Sequence, residues 1–418
     1  MVTPPPLKND CFALPAGVAW TPVDDALTQL RTALRCVVPI ESVDIYNAQG
    51  RFLAEEVISP RASPPKANSA VDGYGFAGRS AAKNGVVRLT LDPDRAAAGV
   101  PMLGCVGEGQ AVRILTGAQL PDGVDTVVLQ EDVATDGHEI VFHGPLKTGA
   151  NTRQAGEDVQ VDDLVLSAGQ RLRPTDLGLL ASVGVGRVPC FRTLRVGVLS
   201  TGDEVCDVSQ NPAAHQIYDA NRPILLSLIA AWGFDAIDLG HVNDDRALLS
   251  KRLDTAKEKV DVLLTSGGAS AGDEDHLSAL LNETGSVAFW RIAVKPGRPM
   301  AMGIWDGLPI FGLPGNPVAA ATCAMIFARP SFNVLAGGEW LTPQSYWVKA
   351  DFEKHKKSGR REYLRARIHG DKVSIFQSEG SGRISGLSWA NGFVELPDAA
   401  ITVQRGDLVK FIPFDSFN

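Results

Sequence analysis

The sequence predicts a multidomain α/β protein that contains one doubly wound parallel-sheet domain, and three observations support this fold class. Apolar runs alternate with amphipathic helical segments between residues 193 and 335, as expected for a parallel sheet covered by helices on both faces. Short β-like runs separated by Gly and Pro turns extend from Val57 to about Val141 and predict a β-rich module. Similar runs after Gly337-Gly338 predict a small all-β domain.

The composition is that of a large protein with several domains. The chain has 418 residues, of which 44% are apolar and 21% are charged, and its formal net charge is −8. This length favours two to four domains, and the negative charge disfavours a nucleic-acid partner. We expect neither a signal peptide nor a membrane span, because the N-terminal residues lack the basic-then-apolar order and no run of eighteen apolar residues occurs. The six cysteines are scattered, which predicts free thiols in the cytoplasm.

Hydrophobic periodicity places the individual elements. Residues 21–36 have apolar side chains at helical spacing after a Thr21 cap and Pro22, which predicts an amphipathic helix. A short helix is expected at 176–181. The charged run 353–362 is interpreted as a solvated loop, and Trp232 as a core residue. In the doubly wound domain the pattern predicts strands at 194–200, 234–240 and 260–266, and helices at 221–233 and 245–259.

Five loops carry most of the reactive side chains in the second half of the chain, and each follows a predicted strand. The carboxyl ends of parallel strands share one edge of a sheet, where ligands bind, so we expect these loops to converge into one site. The loops are STGDE at 200–204, NDD at 243–245, TSGGASAGDED at 265–275, KPGR at 295–298 and GLPGNP at 312–317.

The chemistry of these loops predicts a phosphate site with a divalent metal. Glycine pairs and helix N-termini favour an anion, and Lys295 and Arg298 add cationic donors. Two carboxylates ~4 Å apart repel by about 4 kcal/mol at an effective dielectric near 20, so an anion beside an acidic cluster implies a cation between them. Oxygen ligands suit Mg²⁺. The acids are Asp203, Glu204, Asp244, Asp245, Asp273 and Asp275.

Each loop also has a structural alternative. STGDE contains ordinary turn and cap residues, and one Asp of 243–245 is able to cap the following helix. The 265–275 loop holds more glycines, serines and acids than a turn requires, so the phosphate-and-metal interpretation is favoured there. In the GLPGNP loop both interpretations hold together, because Pro317 starts a helix whose N-terminus is itself an anion site.

Eight strings in one order resemble the molybdopterin molybdenumtransferase family of the MoeA type, which is also found as the C-terminal catalytic domain of gephyrin. The resemblance extends from about residue 18 to the end of the chain. The strings are NSAVDGYG (68–75), RILTGAQLP (113–121), GEDV (156–159), STGDE (200–204), IYDANR (217–222), TSGGASAGDED (265–275), VKPGRP (294–299) and FGLPGNPVAA (311–320).

The resemblance implies four domains and a homodimer. An elongated N-terminal domain comprises 1–56 and 148–190, and a β-rich domain of 57–147 is inserted into it. The doubly wound domain at 191–337 binds molybdopterin and nucleotide, and a β-barrel-like domain covers 338–418. Asp72 and Thr116 are expected to face the active site of the neighbouring subunit. A transient contact with the molybdopterin adenylyltransferase is a further expectation.

The resemblance also implies an activity and assigns roles to residues. The protein is expected to insert molybdate into adenylylated molybdopterin and to release AMP. Mg²⁺ is held by acids among Asp203, Asp244, Asp245 and Asp275. Catalytic roles fall to Asp72, Thr116, Asp158, Glu204 and Lys295, and substrate binding to Ser200, Thr201, Gly202, Ser266, Gly267, Gly268, Ser270, Lys295, Arg298, Pro314, Gly315, Asn316, Arg365 and Ser381.

Two positions depart from the family pattern, and two rival functions remain open. Val71 stands where Met is usual, which is a packing change, and Ala319 stands where many members have a Ser hydroxyl. A molybdopterin adenylyltransferase would share the doubly wound domain but usually has that domain alone. A gephyrin-like scaffold would need additional domains and linkers.

Overall fold

The structure is a computed structural model, and it describes residues 20–267, 276–283, 287–290, 292–297 and 300–418. The chain divides into two compact units. Ser42–Cys190 form the β-rich unit, and Met1–Glu41 together with Phe191–Asn418 form the α/β unit. The N-terminal helix therefore belongs to the α/β unit, whereas the resemblance groups it with residues 148–190. The division into four domains stays a prediction.

Helix α1 (Val23–Ala33) confirms the amphipathic helix expected at the start of the chain. Val23, Ala26 and Leu30 are fully buried, as their helical spacing predicts. Pro22 takes the N-cap position that was predicted for Thr21. Thr21 instead forms a β-bridge with Ile292, so its extended backbone lies one residue ahead of the cap.

The β-rich unit contains a six-stranded sheet with the order β7-β4-β6-β5-β9-β8. One further helix, α2 (Pro174–Ser182), confirms the short helix expected there. The strands are β1 (Ile40–Asp44), β2 (Val57–Ile58), β3 (Asn68–Ser69), β4 (Gly73–Phe76), β5 (Gly85–Ala96), β6 (Gln110–Ile114), β7 (Thr126–Leu129), β8 (Ala134–Thr135), β9 (Glu139–Gly144), β10 (Thr152–Arg153), β11 (Leu164–Leu166) and β12 (Arg187–Phe191).

The α/β unit contains a six-stranded sheet with the order β16-β13-β17-β21-β20-β18. The first four strands are parallel, β20 runs antiparallel to β21, and the edge strand β18 runs antiparallel to β20. Their bounds are β13 (Arg195–Thr201), β14 (Val205–Cys206), β15 (Ile217–Tyr218), β16 (Asp235–Val242), β17 (Val262–Ser266), β18 (Val287–Trp290), β19 (Val294–Lys295), β20 (Met300–Trp305) and β21 (Leu308–Leu313). The predicted parallel sheet is thus confirmed, with an antiparallel extension.

Five helices accompany this sheet, and the alternation of strand and helix follows the sequence pattern. Helices α4 and α5 contribute Leu253 and Leu281 to a core that also contains Leu263 and Ile310 from the sheet. Trp232 is fully buried against Phe332, which confirms its interpretation as a core residue. The helices are α3 (Asn221–Ala231), α4 (Arg246–Lys259), α5 (His276–Glu283), α6 (Pro317–Cys323) and α7 (Arg329–Leu335).

Helices α6 and α7 are joined by a π-helical turn at Ala324–Ala328 into one apolar stretch. The stretch Pro317–Leu335 is long and apolar enough to cross a membrane, but 94% of its most apolar part is buried inside the protein. Such burial is typical of a core helix.

A closed barrel forms the end of the chain, because β24 pairs with both β25 and β26 in the sheet β19-β24-β25-β22-β28-β26. Strand β19 joins it by pairing Lys295 with Glu362, so the KPGR loop starts at the barrel. The remaining elements are β22 (Tyr346–Ala350), β23 (Lys354–Lys356), β24 (Arg361–His369), β25 (Lys372–Ile375), α8 (Ser385–Trp389), β26 (Gly392–Leu396), β27 (Ile401–Val403) and β28 (Leu408–Pro413).

Candidate active site

The strand register brings the predicted loops together at the carboxyl edge of the parallel sheet. Ser200 on β13 lies opposite Ser266 on β17, and Ser266 lies opposite Leu313 on β21. On the other side of β13, Thr201 lies opposite Val242. Parallel strands in register end together, so four of the five predicted loops begin side by side. The fifth, KPGR, follows β19, which pairs with β24 of the barrel and not with this sheet.

A polar cavity of about 450 Å³ lies at this edge. Its lining consists of Asp203, Glu204, His215, Asp244 and His276. Three of these residues are acids that the sequence singles out. The two histidines join them through the loop before β15 and the start of α5.

Asp203 and Asp244 hold each other in place. Oδ1 of Asp203 accepts hydrogen bonds from Nδ2 of Asn243 at 2.9 Å and from the backbone N of Asp244 at 3.1 Å. The backbone N of Asp203 points back to Oδ2 of Asp244 at 3.4 Å. Within the described residues these bonds use one oxygen of each carboxylate, and both Asp203 and Asp244 line the cavity.

Asp245 does different work from its neighbour. Its Oδ1 accepts a hydrogen bond from the backbone N of Leu248 at 2.9 Å and caps helix α4. The structure thus favours the capping alternative that the sequence left open for this pair of acids. Asp275, the fourth predicted metal ligand, lies outside the described residues, as do Asp273, Gly268, Ser270 and Arg298.

The donor set at the cavity fits Mg²⁺ in the way that phosphate-binding enzymes use it. Magnesium is commonly bound by one or two carboxylates, with the remaining positions filled by water and substrate phosphate. Within the described ranges, no group of three or more His, Cys, Asp or Glu side chains is arranged to enclose a metal ion. Asp203 and Asp244 would supply two carboxylates, and a bound cation would take its other oxygen ligands from water and substrate phosphate.

Gly267 and Gly315 bring two loops into contact beside this pair. Gly267 has a φ of +94°, and a Cβ there would lie 2.5 Å from the backbone oxygen of Thr201. A Cβ on Gly315 would lie 3.9 Å from the Cα of Gly267. Only glycine at 267 allows so close an approach of two backbones, as an anion-binding loop requires.

Asn221 links the end of β17 to the loop after β21. It is not among the site residues predicted from the sequence. Its Nδ2 donates to Oγ of Ser266 at 2.6 Å and to the backbone oxygen of Gly315 at 2.7 Å. Asn221 is only 7% exposed, so both bonds are shielded from water. The signal was available, because Asn221 belongs to the IYDANR string at the start of α3.

Two buried hydroxyl groups face this edge without a partner among the described residues. Oγ of Ser200 and Oγ1 of Thr201 are buried and form no hydrogen bond in that part of the chain. A buried hydroxyl without a partner costs free energy. A ligand at this edge would supply the missing partner, and the binding role of Ser200 and Thr201 stays a prediction.

Lys295 lies in a dense ionic cluster and not on a solvated turn. Its Nζ is 3.2 Å from Oε1 of Glu362 and 2.5 Å from Oε2 of Glu379. Lys354 contacts both of these carboxylates as well. Lys295 also lines a small cavity with Pro296, Val318 and Arg365, which places the fifth loop beside the start of α6.

Arg365 and Ser381 are connected through one segment of the barrel. The guanidinium of Arg365 is buried and donates hydrogen bonds to the backbone oxygens of Ser378, Gly380 and Arg383. The backbone oxygen of Ser381 accepts from the N of Val318 at 3.1 Å, in the first turn of α6. Arg365 thus holds the 378–383 segment against β24, and Ser381 holds it against the start of α6. Their direct contact with an oxyanion stays a prediction.

The remaining predicted binding residues lie at the helix start and in the first loop. Pro314 is buried, whereas Gly315 and Asn316 are exposed directly before Pro317. Asn316 occupies the N-cap position of α6 without a side-chain cap bond. Gly202 has a φ of +124°, and the carboxylate of Glu204 lies close above it.

Asp72 and Thr116 meet in the β-rich unit. Gly73 lies opposite Ile114 on β6, which brings the residues beyond these strand ends together. Oδ1 of Asp72 accepts from both Oγ1 and the backbone N of Thr116, each at 2.7 Å. These hydrogen bonds lower the pKa of Asp72, so its carboxylate stays charged at neutral pH. Asp158 is exposed in the same unit.

The close approach of two strands explains why glycine follows Asp72 in the DGYG string. A Cβ on Gly73 would lie 1.9 Å from the backbone oxygen of Val128, so no other residue fits between the strands. Arg113 completes the corner, since its guanidinium lies 5.0 Å from the ring centre of Tyr74 and bonds to Gln130. The sequence analysis did not assign Arg113 or Gln130.

Comparison with known proteins matches three stretches of the chain to family models. Residues 21–184 match the MoeA N-terminal region (domain I and II), residues 197–333 match a probable molybdopterin binding domain, and residues 348–414 match the MoeA C-terminal region (domain IV). The chain belongs to the MoeA family. The resemblance stated from its motifs is thereby confirmed.

Individual MoeA relatives agree over nearly their full lengths. The molybdopterin molybdenumtransferase of Haemophilus influenzae is 35% identical over 94% of this chain and 98% of its own, and that of Bacillus subtilis is 30% identical over 89% of each. Two structures of MoeA proteins from Pyrococcus horikoshii superpose with TM-scores of 0.81 and 0.82, at 30% and 25% identity. They cover 95% of this chain, and 99% and 100% of theirs.

Proposed function

We propose that this protein is a molybdenum insertase, which transfers molybdenum from molybdate to adenylylated molybdopterin and releases AMP. The observation that carries the proposal is the convergence of two kinds of site in one unit. A carboxylate pair, Asp203 and Asp244, lies beside glycine loops suited to phosphate, and the Lys295 cluster lies beside the start of α6. Membership of the MoeA family agrees with this activity.

Different residues of this chain bind the two anions, which are the phosphate groups of the nucleotide and molybdate. Gly267 and the hydroxyl groups of Ser200, Thr201 and Ser266 bind the phosphates and position the nucleotide. Lys295 offsets the charge of molybdate, together with Arg298, which follows three positions later in the sequence. Glu204 lies at the polar cavity, where a carboxylate is suited to orient a water molecule.

Asp203 and Asp244 would hold Mg²⁺ at the polar cavity. A bound Mg²⁺ would polarise the phosphate oxygens and stabilise negative charge on the leaving phosphate. Without a cation, these carboxylates would repel the phosphates of the substrate. The two residues thus link nucleotide binding to a divalent metal.

Release of AMP is expected to require molybdate. Purified protein is mixed with molybdopterin-AMP, with and without molybdate, and AMP is followed by chromatography. An adenylyltransferase or a scaffold would show no such dependence. AMP release at equal rates with and without molybdate would contradict the proposal.

The protein is expected to form a symmetric homodimer. Asp72 and Thr116 lie at an exposed corner with Arg113 and Gln130, and we propose that this corner completes the site of the partner subunit. Most soluble homo-oligomers are symmetric dimers. Sedimentation velocity at micromolar concentration checks the mass, and an active monomer would contradict the proposal.

We also propose that the enzyme acts in the cytoplasm and receives its substrate by transient contact with the adenylyltransferase.

A further inference from the structure

Four charged side chains alternate around Lys295. Glu379 bridges two ammonium groups, since its Oε2 lies 2.5 Å from Nζ of Lys295 and its Oε1 contacts Nζ of Lys354. Glu362 forms the same bridge from the other side, at 3.2 Å from Lys295 and 3.4 Å from Lys354. The charges of these four groups balance when all are ionised, and Lys356 is a further cation near enough to interact with Glu362 and Lys295.

The four groups differ in how firmly the fold holds them. The side chains of Lys295, Lys354 and Glu362 are 14%, 8% and 10% exposed, and they project from strands β19, β23 and β24. The side chain of Glu379 is 43% exposed and follows the end of β25. Three groups are thus fixed by strands, and the fourth is able to turn into solvent.

The space beside Lys295 is too small for a tetrahedral oxyanion while Glu379 is in place. The adjoining cavity measures about 30 Å³, room for one or two water molecules, and Lys295, Arg365 and Glu379 line it. Removal of the Glu379 carboxylate would enlarge this cavity and take one counter-charge away from the ammonium groups of Lys295 and Lys354. A buried charge without compensation is costly, so an incoming anion would be attracted there.

We propose that Glu379 occupies the oxyanion site as an internal carboxylate, and that molybdate enters by displacing it from Lys295 and Lys354. This inference rests on the proposed function and deepens it. Lys354 becomes a second cationic ligand for the anion, and Glu379 sets the affinity because each molybdate ion competes with it. No covalent bond forms or breaks in this exchange.

The competing carboxylate is charged throughout the physiological range. Burial favours the neutral form of Glu379, but hydrogen bonds from Lys295 and Lys354 outweigh it and lower the pKa to about 2. The stabilisation by this contact is therefore complete above the ordinary pKa near 4.5 and is lost only as the pH falls through about 2. Competition should not vary between pH 6 and pH 8.

Binding of molybdate to the full-length protein tests the displacement. Isothermal titration is carried out on the unmodified protein and on Glu379→Gln, which keeps the size of the side chain but removes its charge. We expect Glu379→Gln to bind molybdate about tenfold more tightly, equivalent to about 1.4 kcal/mol. Lys354→Gln should change the affinity in the opposite direction, by a similar factor.

The opposite changes of molybdate affinity in Glu379→Gln and Lys354→Gln distinguish competition from a structural role of the ion pairs. If the ion pairs only stabilised the barrel, breaking them from either side would weaken binding, and this result would overturn the inference. Asp371→Asn is the matched control, since Asp371 forms an exposed ion pair with Lys349 at 3.0 Å in the same barrel. It should leave the affinity unchanged. Thermal unfolding of each variant verifies that the barrel is intact.

Failure of the inference and failure of the proposed function give different results. If the unmodified protein binds molybdate and Glu379→Gln binds it with the same affinity, Glu379 does not compete with molybdate. This result would contradict the inference and leave the proposed function intact. If neither the unmodified protein nor Glu379→Gln nor Glu379→Ala binds molybdate, this region is not an oxyanion site. Both the proposed function and the inference would then be contradicted.

Discussion

Replacement of Asp244 by Asn is expected to lower the rate of AMP release about a hundredfold or more. Asn keeps the size and the hydrogen bond with the backbone of Asp203, but it removes one of the two charges offered to the metal. Lewis-acid stabilisation by a metal contributes several kcal/mol, and each 1.4 kcal/mol corresponds to a factor of ten. Rates are measured across a Mg²⁺ titration, in which the half-saturating concentration should rise.

Asp245→Asn provides a matched control one residue away. Asp245 caps helix α4 through its bond to Leu248, and Asn is an equally good cap. This variant should retain the rate and the Mg²⁺ dependence of the unmodified enzyme. Equal losses in both variants would point to a general effect of charge, and an unaltered Asp244→Asn enzyme would exclude Asp244 as a metal ligand.

Replacement of Lys295 by Gln is expected to raise the molybdate concentration for half-maximal insertion by roughly ten- to a hundredfold. A hydrogen bond to a charged group typically contributes about 1.5–3 kcal/mol, which corresponds to this range. Affinity for the nucleotide should change far less, because its phosphates are bound at the Gly267 loop. Molybdate titration of AMP release and a separate AMP-binding measurement supply the two numbers.

Lys349→Gln is the control for Lys295. It removes an ammonium group from an exposed ion pair in the barrel, so the net charge changes equally and the oxyanion site is unaffected. If Lys295→Gln loses nucleotide affinity and keeps its molybdate dependence, the two anion sites have been assigned to the wrong residues. In Lys295→Gln the carboxylate of Glu362 still pairs with Lys354. Thermal unfolding should therefore show little loss of stability in this variant.

The sequence predicted the α/β fold because its patterns are local. Apolar runs and helical spacing identified β13, β16 and β17 and helices α3 and α4, and the rule for parallel sheets placed their loops at one edge. The antiparallel strands β20 and β18 follow no such rule. Their position depends on which sheet edge remains open, and periodicity does not encode that choice.

The charged run 353–362 is where the sequence interpretation was wrong. It was assigned to a solvated loop, yet the side chains of Lys354, Lys356 and Glu362 are largely buried. Lys354 and Lys356 lie on β23, which pairs with β27, and Glu362 lies on the barrel strand β24. Nζ of Lys356 donates to the backbone oxygens of Lys357, Asp398 and Ala399. Charged residues are rarely buried without partners. Two of these partners, Asp398 and Ala399, lie 42 and 43 positions away in the chain, so local composition favoured solvent.

By itself, the sequence determined the family, the strand-helix alternation and the residue types at the carboxyl edge of the sheet, since these are properties of short segments. The tertiary structure decided which neighbouring acid faces the cavity and which caps a helix, and that Asn221 joins two loops. It also decided that Glu379 neutralises Lys295 across 84 positions of the chain. The reason is physical, because burial and pairing of charge depend on side chains that meet only when the chain has folded.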